Sequence, residues 1–187
     1  MSRGRFVARL AVNAQDVAAA QALRGLAFRL PGPDSDPFDD RCAHVLVEDR
    51  ATGFLVGCFR QQLCEDGAAV AHSYSGQHYD LSRLTRFPGP MLEMGRFCLH
   101  PDRHDPDILR LAWGAMTLCV DRHGVALLFG CASFAGPDPQ AHKPALAFLA
   151  AHHVGPARWC PGPRAPETVS LPPLASKGCA GPTGLPP

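Results

Sequence analysis

From Phe6 to Val12 apolar and polar residues alternate, the period of a half-buried strand. Asn13 then stands where it can cap a helix whose apolar positions Val17, Ala20, Leu23 and Ala27 recur at helical spacing. That helix is expected to end before the breakers Pro31, Gly32 and Pro33, and an acidic loop from Asp34 to Asp40 follows. His44 to Glu48 and Gly53 to Gln61 read as two strands joined by a turn around Asp49 to Thr52, an antiparallel hairpin. Residues 64–90 show no period and contain the polar triplets Ser73-Tyr74-Ser75 and Asp80-Leu81-Ser82. Met91 to Leu99 is a further strand, interrupted by Gly95, and an isolated strand glycine marks a bulge. After a loop from His100 to Pro106, with Asp105 as N-cap and Pro106 at the first helical position, the spacing predicts a helix. It runs through Ile108, Leu111, Ala112, Ala115, Met116 and Cys119 to a stop at His123-Gly124. Val125 to Cys131 is an apolar run of strand length, and Pro144 to Ala151 belongs to a last helix.

The order strand, helix, antiparallel strands, strand, helix, strand, helix predicts an α/β (α+β) domain in three layers. Its central sheet is mixed and mainly antiparallel, with helices on its faces. The domain is expected to occupy residues 1–154. Nine of the nineteen prolines fall in residues 155–187, which lack apolar periodicity and are read as a mobile Pro/Gly-rich segment.

Composition changes this picture in three places. Eighteen Lys plus Arg balance seventeen Asp plus Glu, so no bulk field argues for nucleic acid. Eight cysteines could suggest disulfides, but there is no Cys-x-x-Cys pair, and Cys42, Cys58, Cys64, Cys98, Cys119 and Cys131 lie in or beside apolar runs. They read as small hydrophobes in a reducing compartment, and no metal site is expected. The N-terminus has no continuous apolar core and no stretch approaches the roughly eighteen apolar residues of a membrane span. A cytoplasmic protein is therefore expected, with a peripheral contact at the inner face of the membrane left open.

The chemistry concentrates in Leu92-Glu93-Met94-Gly95-Arg96-Phe97-Cys98-Leu99-His100-Pro101. A one-residue bulge near Gly95 brings Glu93 and Arg96 toward one side of the strand, where a glutamate can accept a proton from an ammonium. Backbone N–H groups freed by the bulge can face an oxyanion, and the helix start at Pro106 to Ile108 can face a phosphate. From spacing alone, a surface ion pair between Glu93 and Arg96 is the commoner reading. Periodicity likewise makes Phe28 a core residue and Arg24 a solvated flank. The Asp36-x-Phe38-Asp39 loop is an exposed turn, a holder of a cationic amino acid, or a clamp on a neighbouring arginine. His100 and His104 lie on a Pro-containing loop, so the two-histidine helix face of a metal site is not implied. Ser133 lacks a nucleophile elbow, and no phosphate loop or dinucleotide fingerprint is present.

Several stretches resemble the bacterial L-ornithine N-alpha-acyltransferases of ornithine-lipid synthesis, a branch of the GNAT superfamily related to acyl-homoserine-lactone synthases. They are RFVARL (to Leu10), DVAAAQALRGLAF (Asp16–Phe28), FDDRCAHVLVED (Phe38–Asp49), VGCFR (Val56–Arg60), YDLSRL (Tyr79–Leu84), LEMGRFCLHP (Leu92–Pro101) and LFGCASFAGPD (Leu128–Asp138). The resemblance implies a GNAT-like sheet that splits between two parallel strands, with an acyl-phosphopantetheine arm in the split. It implies transfer of a (3-hydroxy)fatty acyl group from acyl carrier protein to the alpha-amine of L-ornithine, giving lyso-ornithine lipid, with no bound cofactor. The partners implied are the carrier protein and the amino acid. Residues matching the family's site are Glu93 and Arg96 as catalytic, and Arg24, Phe28, Asp36, Asp39 and Arg60 around the substrate. Arg103, His104 and Ile108 fall at the acyl-pantetheine end. Arg83, Arg86, Arg103 and Arg110 flank the implied acyl entrance and would face an acidic carrier.

Two departures stand out. Ala43 replaces an acidic residue usual before His44, and after Leu174 the chain passes into a Pro/Gly tail where the family continues into further strands. A shortened chain is expected, which leaves a catalytically inactive acyl-carrier- or lipid-binding remnant as one alternative. A lactone-synthase-like enzyme is another, though the tryptophan of that branch near Leu30 to Ser35 is absent.

Overall fold

Strand β2 (Phe6–Leu10) is the second of six in the main sheet of a computed structural model that describes residues 1–136 and 138–171. It stops at Leu10 because Asp16 takes the Val12 amide at 2.9 Å, turning the chain toward helix α1 (Ala14–Ala27). Asn13 caps that helix by accepting from the Asp16 amide at 2.9 Å, as the sequence predicts. The hairpin of β3 (Ala43–Asp49) and β4 (Leu55–Cys64) follows. Strand β6 (Met91–Leu99), helix α4 (Pro106–His123) and strand β7 (Leu127–Phe129) complete the frame. With β1 (Ser2–Arg3), the sheet order is β1-β2-β3-β4-β6-β7; every neighbouring pair is antiparallel except β6 and β7. Asp105 caps α4, Pro106 opens it, and it stops at Gly124 in the left-handed region.

The helices cover opposite faces. Against α4 lies the main core, with Phe6, Val45, Val47, Phe59, Leu92 and Ile108 all buried. Against α1 lies a smaller cluster of Ala20, Leu23, Leu46, Cys58 and Cys98. The stretch 64–90, read as irregular, holds the short helices α2 (Gly67–Val70) and α3 (Ser75–His78) and the two-residue strand β5 (Tyr79–Asp80). It is tied down by a third cluster of Cys64, Val70, Leu81, Leu84 and Met91.

Helix α5 (Lys143–His152) forms where the sequence places it. Beyond it, residues 155–171 are not a free tail. Trp159 meets Phe87 edge-on at 5.1 Å, and β8 (Gly162–Pro163) pairs with β5. An indole and two backbone pairs anchor a stretch whose prolines hide any period. Residues 172–187, the remainder of the segment read as mobile, lie outside the described residues.

The bulge in β6 is present but not centred on the glycine. Cys58 faces Cys98 and Arg60 faces Gly95, so Phe59 alone stands opposite both Arg96 and Phe97. The left-handed residue is Arg96, at φ 54°. Gly95 instead lies under the Arg60 side chain, whose Nε passes 3.8 Å from where a Cβ would be.

Candidate active site

The bulge does what the spacing asks of it. Leu92 and Met94 point into the α4 core and Glu93 to the other face; after the extra residue, Arg96 shares Glu93's face while Phe97 returns to the core. The two do not pair with each other. Arg96 sends Nε toward Asp34 at 2.8 Å, Nη2 to Asp36 at 3.1 Å and Nη1 to the Tyr74 hydroxyl at 3.2 Å. Glu93, 5% exposed, accepts from two backbone amides, Tyr74 N–H at 2.9 Å and Ser75 N–H at 2.6 Å. The surface ion pair suggested by spacing is thus replaced by two separate anchorages.

Arg24 and Phe28 exchange the places periodicity gives them. Arg24 is 1% exposed, while Phe28 caps α1 with 41% of its surface open and stands outside the polar network. The cause is the loop after α1. Gly25 lacks a Cβ where the Gly32 carbonyl passes, 2.2 Å from the position a Cβ would take, and the Asp34 amide donates to Gln21 O at 3.0 Å. This brings the acidic loop onto the helix face that carries Gln21 and Arg24. Arg24 then grips Asp39 with both terminal nitrogens, at 2.8 and 2.7 Å, donates to the Asp34 carbonyl, and lies with Nε 3.0 Å from the Asp34 carboxylate. Both Nε contacts to Asp34 are ion pairs too bent for hydrogen bonds.

From β4, Arg60 closes the network. Its Nη1 reaches Asp36 and Asp39, both at 2.7 Å, and its Nη2 reaches Asp36 at 2.8 Å. Of the three readings of the acidic loop, the structure supports the clamp on neighbouring arginines. Three guanidinium groups and three carboxylates balance within it. Burial alone would raise the Asp39 pKa, but hydrogen bonds from Arg24, Gln21 and Arg60 outweigh it and hold the carboxyl well below the usual range. Asp36 is lowered too, burial again being overcome by Arg60 and by the Phe38 amide.

The sequence reading missed Asp34, as one of several acids in a run, and Tyr74, which sat in a stretch without period. The Tyr74 ring takes Arg96 on its face at 4.8 Å and Arg60 at 5.4 Å, and meets Phe38 edge-on at 5.5 Å. No pattern could have flagged Tyr74, because its role rests on a backbone amide, a ring face and a hydroxyl brought in from a stretch without period.

Beside Glu93 the sheet comes apart. The parallel ladder joins Met91–Glu93 to Leu127–Phe129 and ends there, although β6 continues to Leu99. Gly130 lets the departing chain cross Met94, whose carbonyl lies 2.2 Å from the place of a Cβ, and this shortens the strand expected over Val125 to Cys131. Past Glu93, β6 has no strand partner on that edge among the described residues. Cys131, expected in an apolar setting, is exposed at this opening and donates to Ser75 Oγ at 3.4 Å.

The residues at the far end are less uniform. Ile108 is fully buried in the α4 core, so only its backbone faces the helix start, and that amide donates to Asp105 O at 3.1 Å. Arg103 lies over the Phe54 ring at 5.3 Å, and His104 is exposed on the loop. Arg83 and Arg86 line a hollow with Arg158 and Trp159 near the start of β6. Arg103 and Arg110 lie past the strand's other end. At about 3.3 Å per residue, nine residues of β6 set the two pairs on the order of 27 Å apart, so the four arginines do not form one surface.

Comparison with known proteins agrees with this geometry. Residues 20–114 match the family model of the acetyltransferase (GNAT) domain. The chain is 32% identical over 190 residues to the L-ornithine N(alpha)-acyltransferase of Agrobacterium fabrum, covering 91% of this chain and 62% of that protein. It is 35% identical to that of Brucella abortus (80% and 59% covered) and 31% identical to that of Rhodobacter capsulatus (87% and 70%). It thus spans about three fifths of the length of the first two relatives. Among solved structures, FeeM, an N-acyl amino acid synthase from uncultured soil microbes, superposes with a TM-score of 0.50 at 17% identity, over 81% of each chain. A ribosomal-protein-alanine N-acetyltransferase of Brucella melitensis gives 0.50 at 10% identity, over 82% of this chain and 96% of that one. With the split ladder, the bulged strand and these relatives in hand, the chain belongs to the L-ornithine N(alpha)-acyltransferase family of GNAT-fold proteins.

Proposed function

We propose that this chain transfers a (3-hydroxy)fatty acyl group from the phosphopantetheine thioester of acyl carrier protein to the alpha-amine of L-ornithine, giving lyso-ornithine lipid. The observation that carries the reading is the placement of Glu93, buried and fixed by two amides, beside the point where β6 and β7 part. Each carboxylate oxygen holds one amide and keeps a lone pair for a substrate proton. Glu93 takes a proton from the ornithine ammonium, directly or through a water, and the free amine attacks the thioester carbonyl carbon. The C–N bond forms, backbone N–H groups along the unpaired edge of β6 face the oxyanion, and collapse breaks the C–S bond. The attacking nitrogen gives up its second proton as the amide forms, and the sulfur leaves with a proton as the carrier's thiol, so the one proton left over is the one on Glu93. Arg96, Arg60 and Arg24 act through the acidic loop and Tyr74, holding the wall of the site. Arg103 and Arg110 stand at the end where the arm would enter, and we place the acidic carrier there. The activity rests on cytoplasmic partners, with the amphiphilic product handed to a membrane; among the described residues no helix is long and apolar enough to cross one.

The test is turnover of purified protein with acyl-loaded carrier and L-ornithine, read by mass spectrometry of the N-acyl amino acid. Glu93→Gln should lower kcat by about two to four orders of magnitude, the usual worth of general base catalysis. Near-normal turnover of that variant removes Glu93 from the role. Because the chain spans about three fifths of the first relatives, a wild-type protein that binds acylated carrier without turnover would instead establish a binding remnant.

A further inference from the structure

We propose that the outer face of α5 and the hollow formed by Arg83, Arg86, Arg158 and Trp159 are one docking surface for an anionic phospholipid bilayer. The proposal stands on that surface alone and does not need the acyl-transfer reading. Leu146 and Ala150, one turn apart in α5, face the protein, and Ala150 is the helix's one buried residue. Ala145, Phe148, Leu149 and His152 share the other face at helical spacing and are all exposed, Phe148 with 57% of its surface open. The larger apolar face therefore points away from the fold. Exposed Val154 extends it past the helix end. Charge indicates what covers it. From Pro139 to Pro166 there is no Asp or Glu, whereas Lys143, Arg158 and Arg164 all fall there. Lys143 even opens the helix, where the positive end of the backbone dipole disfavours a cation. A helix charged for its own stability would carry an acid at that place.

A second, independent observation lies in the turn just beyond α5. The hollow there, about 370 Å³ in volume, is lined by Ser82, Arg83, Arg86, Arg158 and Trp159, without a carboxylate. None of its three arginines has an ion-pair partner among the described residues. Asp80, the nearest acid in sequence, accepts from the Ser82 amide at 2.9 Å and lines a neighbouring hollow instead. Helix end and hollow are joined: Arg83 donates to the carbonyls of Ala157 at 2.9 Å and Cys160 at 3.4 Å, in the turn that follows α5. Phe148 lies against His152 and His153 at 4.9 and 5.2 Å, so its ring sits at the end of the helix next to that turn. The Arg158 guanidinium lies over the Trp159 ring at 5.5 Å. Unpaired guanidinium groups take phosphate oxygens, and an indole beside them suits the headgroup level of a bilayer. An acidic protein would satisfy the arginines but not the apolar face. A second copy of this chain would cover the apolar face but bring the same cations. A bilayer with anionic headgroups satisfies both, because apolar insertion and basic attraction are the two signals that hold a peripheral protein.

The experiment sediments the full chain with vesicles of phosphatidylcholine, pure or mixed with phosphatidylglycerol. The wild-type protein should partition onto the mixed vesicles roughly tenfold or more better than onto pure phosphatidylcholine. Salt raised from roughly 0.05 to 0.5 M should weaken that binding about tenfold. Phe148→Ser with Leu149→Ser removes the apolar contact, and Arg86→Glu with Arg158→Glu reverses the charge. All four positions are solvent-facing or unpaired, so folding tolerates the changes, and melting temperatures check both proteins. Each double variant should lower partitioning onto mixed vesicles by roughly tenfold or more. With Trp113→Phe, Trp159 is the one remaining indole, and its emission should move to shorter wavelength on mixed vesicles. No preference for anionic vesicles in the wild-type protein overturns the proposal, as does wild-type partitioning of both double variants. A dimer that the helix variant dissociates without changing vesicle binding overturns it too, because a second copy would then cover α5. So does a raised KM for acyl carrier in the arginine variant with vesicle binding unchanged, which would make the hollow a protein-docking site. Glu93→Gln should bind vesicles like the wild-type protein, so loss of the acyl-transfer reading would leave the docking surface standing.

Discussion

Strand β6 has two faces that are held by different physics. Toward α4, Leu92, Met94, Phe97 and Leu99 join an apolar core in which burial is non-directional and residues of similar volume are interchangeable. Toward α1, Glu93 and Arg96 stand among named donors at fixed distances, and nearly every partner is a charge or a backbone amide. The first face tolerates change in kind but not in volume. The second tolerates change in volume but not in pairing, because a desolvated ion that loses its partner keeps its desolvation cost. The extra residue at Arg96 divides the strand between these two regimes.

The sharpest way to break the comparison is to unpair the polar face without changing its shape. Asp39→Asn keeps the volume but withdraws the charge that Arg24, 1% exposed, grips with two nitrogens. Removing one partner of a buried pair costs about 3–5 kcal/mol, which in a domain of this size lowers the melting temperature on the order of 10 °C. Urea unfolding measures it, and Arg24→Met combined with Asp39→Leu should restore a large part of the loss. A cost below about 1 kcal/mol for Asp39→Asn would mean that water reaches the network and that the two faces do not differ as described.

The contrast also explains what was legible in the sequence. The long periodic elements formed where the residues place them: α1 after Asn13, the hairpin, β6, and α4 between Asp105 and Gly124, whereas the apolar run from Val125 to Cys131 is a strand only over Leu127–Phe129. What periodicity could not give is the burial of an arginine. It put Arg24 in solvent and Phe28 in the core, and the opposite holds, because the acidic loop folds back onto α1 through the gap at Gly25. The family likeness drew attention to Arg24, Phe28, Asp36, Asp39, Arg60, Glu93 and Arg96, and the structure gathers all of these but Phe28 on one face. Tyr74 and the anchoring of residues 155–171 escaped both routes. They depend on a backbone amide, a ring face and a two-residue ladder, none of which leaves a period.

A smaller effect separates the buried network from the surface pairs as pH falls. Asp39 and Asp36 have folded pKa values below the ordinary 3.8, so the unfolded chain binds their protons first as acid is added. The stability they contribute is complete above about pH 4 and is lost as pH falls through the folded values. Asp16, lowered to about 2 by the Arg9 hydrogen bond, acts in the same direction at the surface. Salt distinguishes the two. In roughly 0.5 M salt the surface part of the acid slope should shrink, and the part that Asp39→Asn removes should persist. An acid slope in the wild-type protein that high salt abolishes entirely would place the network in solvent.

The smallest expected effect tests the bulge itself. Arg96 carries a full side chain at φ 54°, a region that costs an L-residue other than glycine roughly 1–2 kcal/mol. Its guanidinium offsets that strain through Asp34, Asp36 and Tyr74. Arg96→Ala and Arg96→Gly remove the same contacts, but only glycine also relieves the backbone. Arg96→Gly should therefore be the more stable of the two by about 1 kcal/mol, even though in an ordinary strand glycine is the weaker residue. Both should unfold more readily than the wild-type protein, because Asp34 and Asp36 each lose a cation. If alanine proves the more stable replacement, Arg96 does not hold the left-handed turn in solution. The extra residue would then have to lie elsewhere in β6, and the shared face of Glu93 and Arg96 would lose its structural basis.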